Sequence, residues 1–193
     1  IVHIDGTARA SILDDAEASA NDRFVALTLL PAIVGSDQLS KWLAWRYLDP
    51  AVPRSFFHDI LRLSYVENSG GFLGLLGGLP KEFRFPLLTW GVAAVVIPGI
   101  AYVLWRSSLS RSTAVAALLV LGGGLSNLVD RLLHDGRVID FLNLGLGTFR
   151  TGIFNLADVA ILTGSFALGA MWFQRGGGDG GGQGSPTGSG SRQ

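Results

Sequence analysis

Apolar and polar positions fall in long blocks along this chain, not in the short alternation of a soluble domain. Phe85 to Trp105 gives 21 residues without a charge between Arg84 and Arg106. About 20 apolar residues cover the hydrocarbon core of a bilayer, so this run predicts a membrane-spanning helix. Ser112 to Val129 gives 18 residues between Arg111 and Asp130. Val159 to Gln174 gives 16 between Asp158 and Arg175, and Ile153 to Ala157 completes that span. Phe24 to Ser36 is shortest, with 13, and spans only if its helix continues through Asp37 and Lys41 to about Leu48. Asp37 and Lys41 are spaced i, i+4 with the acid first, so they share a helix face and can pair. The pattern predicts an all-α polytopic membrane protein with four transmembrane helices and both termini on one side.

The connections add detail. Pro50 and Pro53 break the first helix. Phe56 to Val66 mixes aromatic, aliphatic and charged residues, which suits an interfacial helix or a strand. Leu63-Ser64-Tyr65-Val66 has strand-forming residues, and Asn68-Ser69-Gly70-Gly71-Phe72-Leu73-Gly74 supplies a turn. A small extramembrane β element is therefore expected between spans 1 and 2. The glycine run is not a phosphate loop, because no Gly-Lys-Ser/Thr follows it. Residues 1–22 carry Asp5, Asp14, Asp15, Glu17 and Asp22 and no apolar core of signal-peptide length. They form a polar acidic N-terminal extension, with no cleavable signal expected. Residues 176–193 form a Gly-rich flexible tail. Residues 23–175 are left as one membrane domain. Two arginines in the six residues Arg106 to Arg111 favour a cytoplasmic loop, but Arg54, Arg62, Lys81, Arg84, Arg131, Arg137 and Arg150 crowd the other side. Charge counting leaves the orientation open.

Composition agrees with a membrane protein. Hydrophobic residues make up 48% of 193 and charged residues 16%, against about 25% charged in soluble domains. The formal net charge is zero, so nucleic acid is not an expected partner. Cysteine is absent and His3, His58 and His134 are dispersed. Thiolate and histidine metal sites are therefore not expected, and no cofactor is implied.

Candidate chemistry concentrates at two segments. Asp140 lies in Arg137-Val138-Ile139-Asp140-Phe141, after the third apolar run. Asp158 lies in Phe154-Asn155-Leu156-Ala157-Asp158, opening the fourth. If both runs span the membrane, the two carboxylates emerge on the same side. Ionisable groups at membrane depth cost about 2.5–3.5 kcal/mol each and usually mark function. Two facing carboxylates share a proton, because both cannot ionise cheaply. Such a pair activates water without a metal or a covalent intermediate. Nearby, Asn127, Asp130 and Arg131 are spaced i, i+3, i+4 and form one polar patch, with Asp130–Arg131 expected as a structural ion pair. Gly122-Gly123-Gly124 allows a neighbouring helix to approach closely. Asn155 and Asp158 repeat the i, i+3 spacing.

With these motifs in hand, the chain resembles the lipoprotein signal peptidase (signal peptidase II) family. The resemblance covers about Arg23 to Phe173. It rests on Asp37-Gln38-x-x-Lys41, Asn68-Ser69-Gly70, Ser126-Asn127-Leu128-Val129-Asp130-Arg131, Val138-Ile139-Asp140-Phe141 and Phe154-Asn155-Leu156-Ala157-Asp158. It implies a membrane aspartic endopeptidase that cleaves prolipoproteins just before the diacylglyceryl-modified cysteine. By the same resemblance Asp140 and Asp158 are catalytic. Asn127, Arg131 and Asn155 support the active site, and Asp130 belongs to the same motif. Asn68 lies on the substrate side, and Asp37 with Lys41 is a structural polar pair. The implied setting is the bacterial inner membrane, with the site toward its outer face. The implied partners are the lipidated substrate and membrane lipid, and the implied state is a monomer. Ser126 departs from the family's usual glycine, Ser69-Gly70-Gly71-Phe72 from Thr-Gly-Ala-Ala-Phe, and Val159 from serine. These departures point to a diverged subfamily or an altered substrate preference.

Simpler readings stand beside these. A lone aspartate at Asp158 would be a helix cap. The tryptophans Trp42, Trp45, Trp90, Trp105 and Trp172 are interfacial or packing anchors. A small proton-coupled transporter would also use intramembrane charge, but it tends to carry internal repeats, and none is seen. A non-catalytic lipopeptide-binding homologue is the remaining alternative.

Overall fold

The computed structural model describes residues 6–71, 76, 78–105 and 109–176, with side chains from 24 to 174. Helix α1 runs Gly6–Tyr47, strands β1 and β2 are Arg54–Phe56 and Leu61–Asn68, and helix α2 is Lys81–Trp105. Helix α3 is Arg111–Leu133, strands β3 and β4 are Val138–Leu146 and Phe149–Arg150, and helix α4 is Leu156–Gly176. A π turn interrupts α2 at Leu87–Gly91, directly after Pro86. The tail from 177 onward lies outside the described residues.

The chain is mostly helical. Among the described residues, three helices are long and apolar enough to cross a membrane: Lys81–Trp105, Arg111–Leu133 and Leu156–Gln174. They do so inside out. Val95, Ile97, Leu162, Phe166 and Trp172 are all exposed, as lipid-facing side chains are and water-facing ones rarely are. The protected centre is instead rich in small and polar residues, with a few larger apolar ones such as Leu118, Leu121 and Leu128.

Helix α3 is the axis of the bundle, and its three successive glycines explain how. Residues on a helix turn by about 100° each, so the three face three neighbours. A Cβ on Gly122 would meet Ile33 of α1 at 3.1 Å, one on Gly123 would lie 2.4 Å from the Ala157 carbonyl of α4, and one on Gly124 would lie 2.9 Å from Val96 of α2. Small residues replace the hydrophobic effect as the means of packing helices in lipid.

The β element differs from its expected place. It is a four-stranded antiparallel sheet in the order β1-β2-β3-β4. Only its first two strands come from the connection after α1. The other two come from the connection between α3 and α4, with Val66 opposite Asp140 and Asn68 opposite Val138. Pairing across so many residues leaves no local pattern. The sheet also shortens α4. Phe154 donates to the Leu142 carbonyl at 2.8 Å and accepts from Leu142 N at 2.8 Å. Residues 153–155 therefore belong to the sheet side, and the helix begins at Leu156, not Ile153.

Candidate active site

Three helices and the sheet bring their polar residues to one end of the bundle. The lowest level is ionic. Lys41 sits almost wholly buried on α1, its Nζ 2.6 Å from Asp37 Oδ2 and 3.0 Å from Asp130 Oδ2. It also donates to Asn127 Oδ1 at 2.9 Å. Every remaining carboxylate oxygen is used. Asp37 Oδ1 accepts from Ala157 N at 2.8 Å, and Asp130 Oδ2 accepts from Ile139 N at 3.0 Å. Gln38 donates to Asp130 Oδ1 and to Ser126 Oγ, at 2.8 and 3.0 Å, and Ser126 Oγ donates to Asp37 Oδ2 at 2.7 Å. Buried charge is tolerated only when paired and fully hydrogen-bonded. This cluster meets that condition and ties α1, α3, β3 and α4 together.

The expected Asp130–Arg131 ion pair does not form. Neighbouring residues point about 100° apart on a helix, so Asp130 turns to Lys41 while Arg131 turns to the other side. Arg131 donates from Nη1 to the Asn127 carbonyl at 3.0 Å, and its buried Nε has no hydrogen-bond partner.

Above the ions lies a layer of asparagines. Asn127 Nδ2 donates to Asp158 Oδ1 at 3.0 Å. Asn155 Nδ2 donates to Asp140 Oδ1 at 2.7 Å and to Asn127 Oδ1 at 3.1 Å. Asn68 Nδ2 donates to the other Asp140 oxygen at 2.7 Å and to the Gly71 carbonyl at 2.7 Å. Asn68 Oδ1 accepts from Gly70 N at 2.8 Å, which folds the turn at the end of β2. Gly71 at φ +76 completes that turn in a conformation that suits glycine. Because Asn68 pairs with Val138, Asp140 is its diagonal neighbour on the same face of the sheet.

Asp140 and Asp158 line one narrow cleft together with Asn68, Gly71, Asn127 and Arg131. Both are nearly inaccessible, at 2% and 5% exposure. Burial pushes the Asp140 carboxyl up to about 7; the Asn68 and Asn155 amides oppose that rise, and the Asp158 carboxylate adds to it. A carboxyl poised there can give or take a proton near neutral pH.

Seven of the nine polar residues singled out from the sequence form one connected network: Asp37, Lys41, Asn127, Asp130, Asp140, Asn155 and Asp158. Asn68 joins it from β2 and Arg131 from α3. Two members were not given a role from the sequence, Gln38 and Ser126. The signal for Ser126 was its i, i+4 spacing to Asp130, which puts both on one face of α3. His134 lies at the C-terminal end of α3, outside the cleft that holds the aspartates.

Comparison with known proteins identifies the family. The family model described as signal peptidase (SPase) II matches residues 29–174. A lipoprotein signal peptidase of Syntrophomonas wolfei is 38% identical over 147 residues, 76% of this chain and 89% of that protein. One from Caldanaerobacter subterraneus is 34% identical over 157 residues, 79% of this chain and 99% of that protein. A bacterial membrane enzyme solved by the in meso method at 2.3 Å superposes with a TM-score of 0.69 at 19% identity, covering 83% of this chain and 94% of that one. That likeness carries the fold, and the sequence matches carry the family. On those matches, this chain belongs to the signal peptidase II family of membrane proteases.

Proposed function

We propose that the chain is an aspartic endopeptidase that removes the signal peptide from prolipoproteins just before the diacylglyceryl-modified cysteine. The observation that carries the reading is the single cleft lined by Asp140 and Asp158, with Asn155 bonded to both. The pair holds one proton between its two carboxyl groups. The charged member takes a proton from water as the water oxygen attacks the scissile carbonyl carbon. The neutral member hydrogen-bonds the carbonyl oxygen and protonates the departing amine. The net change is one water consumed and one peptide bond exchanged for a carboxyl and an amine. The dyad titrates as a unit, so the starting proton belongs to the pair.

Asn68, Asn127 and Asn155 fix the carboxyl groups, and Arg131 turns an unpartnered Nε toward a substrate carbonyl. Asp130 acts through Lys41, and Asp37 with Lys41 forms the structural base. Residues 23–175 form the peptidase domain, between an acidic extension and a glycine-rich tail. Helix α1 is the fourth span: Phe24, Leu27, Leu39 and Leu43 are exposed on it while Asp37 and Lys41 are buried. The protein is proposed to act as a monomer. It sits in the bacterial inner membrane with the cleft at the outer face, where a lipidated substrate arrives sideways.

The test is a gel-shift assay in detergent with a diacylglyceryl-modified prolipoprotein. Cleavage before the lipidated cysteine by wild type, lost in Asp158→Asn, is the expected result. Substrate retained but uncut by folded wild type would favour a non-catalytic homologue. Neither binding nor cleavage would favour a transporter.

A further inference from the structure

A second cleft lies beside the aspartate site and takes no part in the chemistry above. It has a volume of about 370 Å³, and its lining includes Ser69, Lys81, Arg84, Asp135 and Arg137. Three segments distant in sequence build it. One is the turn after β2 that carries Ser69, and one is the start of α2. The third is the turn after α3, where Asp135 and Gly136 have φ of +52 and +84. Gly136 is pressed onto α2 so closely that a Cβ would lie 2.4 Å from Phe85 Cδ2. The cleft is thus a fixed feature of the packing.

Its charge is unbalanced. Lys81, Arg84 and Arg137 line it beside the carboxylate of Asp135, and Arg84 already has a partner of its own. Arg137 is partly engaged, with Nη1 2.5 Å from Glu67 and Nη2 3.9 Å from Asp135. Lys81 is exposed and has no ion pair or hydrogen bond among the described residues. Its depth is set by the helix it opens. Lys81 is the first residue of the apolar segment Lys81–Trp105, so it sits at headgroup level. Just below, Phe83, Leu87 and Trp90 form an exposed stripe at i, i+4, i+7.

We infer that this cleft binds the phosphate of an anionic phospholipid headgroup, with the acyl chains lying along Phe83, Leu87 and Trp90. Juxtamembrane lysine and arginine recognise anionic lipid through the same attraction. The cations supply the charge, the Ser69 hydroxyl can donate a hydrogen bond, and the apolar stripe accommodates the chains. A free phosphate ion shares the headgroup chemistry but has no use for the stripe. The location also gives occupancy a consequence. Ser69 follows Asn68, and Arg137 precedes Val138, the β-partner of Asn68. A bound lipid would brace the turn that presents Asn68 to Asp140.

The experiment is native mass spectrometry of the full chain, titrated in detergent with phosphatidylglycerol, phosphatidylcholine or inorganic phosphate. It needs no substrate, so it stands apart from the peptidase reading. Wild type should retain one phosphatidylglycerol. Lys81→Glu should weaken that retention by about thirtyfold, since one basic charge beside an anionic lipid is worth about fivefold and a reversal counts twice. Lys81→Arg should restore it. Equal retention by wild type and Lys81→Glu would overturn the site. Displacement of the lipid by millimolar inorganic phosphate, or equal binding of phosphatidylcholine, would overturn the anionic-lipid assignment.

Discussion

Asn155 and Asp158 cap one another. The Asp158 backbone N–H donates to Asn155 Oδ1 at 2.9 Å, and the Asn155 N–H donates to Asp158 Oδ2 at 3.3 Å. This is a capping box at the first turn of α4, with aspartate in the place usually held by glutamate or glutamine. A residue proposed as catalytic is thus also part of the cap that starts its helix, so capping and the proposed chemistry do not compete for it. The two roles separate by substitution. Asp158→Asn keeps a carbonyl oxygen that can accept the backbone bond but cannot hold the shared proton. It should abolish processing and leave the melting temperature nearly unchanged. Asp158→Ala should lose activity equally and also destabilise by about 1 kcal/mol, the usual value of a cap. Thermal melting of both variants in one detergent checks this. Equal melting would remove the capping role.

The raised Asp140 carboxyl predicts a pH dependence with a definite sign. Its ordinary value of 3.8 applies to the unfolded chain and about 7 to the folded one. Between these the folded state holds more protons, so stability falls as pH rises through the window and levels off above it. From about pH 5 to about pH 7.5 the loss is on the order of 3 kcal/mol. Asp140→Asn should flatten that slope, and denaturation midpoints across the window would measure it. A wild-type slope of opposite sign, or one unaltered by the substitution, would contradict the assignment. Activity should decline above about pH 7 for the same reason, as the pair loses its shared proton.

Much of the site was legible because its residues carry chemistry that lipid penalises. Asp37, Lys41, Asp130, Asp140 and Asp158 stand out in an apolar chain, and helical spacing already put Asp37 beside Lys41. The three apolar helices were legible for the complementary reason, since their length is set by the bilayer. What stayed hidden depends on long-range pairing. Nothing local to Val138–Leu146 announces that it joins Leu61–Asn68, yet that pairing brings Asn68 to Asp140. The partner of Asp130 is hidden for a similar reason. Adjacency in sequence points to Arg131, whereas the fold brings Lys41 from a helix far away in the chain. Ser126 and Gln38 were inconspicuous because a serine and a glutamine become informative only once their buried partners are known.

The ion cluster predicts that Lys41 is worth more as a partner than as a charge. Removing it leaves Asp37 and Asp130 buried without their shared cation. Breaking a buried pair from one side costs about 3–5 kcal/mol, because the remaining charge is uncompensated. Lys41→Met should therefore lower the melting temperature sharply. Asp37→Asn should be milder, since its amide keeps the volume and Lys41 retains Asp130 at 3.0 Å. Intrinsic fluorescence would follow both, as Trp42 and Trp45 flank Lys41 on α1. A Lys41→Met protein as stable as wild type would mean the cluster adds nothing to the fold.

Gly123 offers a test of how closely packing and chemistry are joined. A Cβ there would lie 2.4 Å from the Ala157 carbonyl and 2.8 Å from Ile161 Cγ1. Backbone cannot step aside as a flexible side chain does, so Gly123→Ala must push α4 away from α3. Overpacking of this kind costs about 1–3 kcal/mol. The displaced residue is the one before Asp158, and its own N–H is held by Asp37. The shift should therefore reach the Asn127–Asp158 bond and lower kcat more than it raises KM. Gly35 provides the control, because a Cβ there meets nothing within 4 Å. Gly35→Ala should leave activity intact and stabilise by about 0.5–1 kcal/mol, the ordinary benefit of alanine over glycine within a helix. Cleavage kinetics and melting of the two alanine variants, measured side by side, would show whether the close approach at Gly123 sets the position of Asp158.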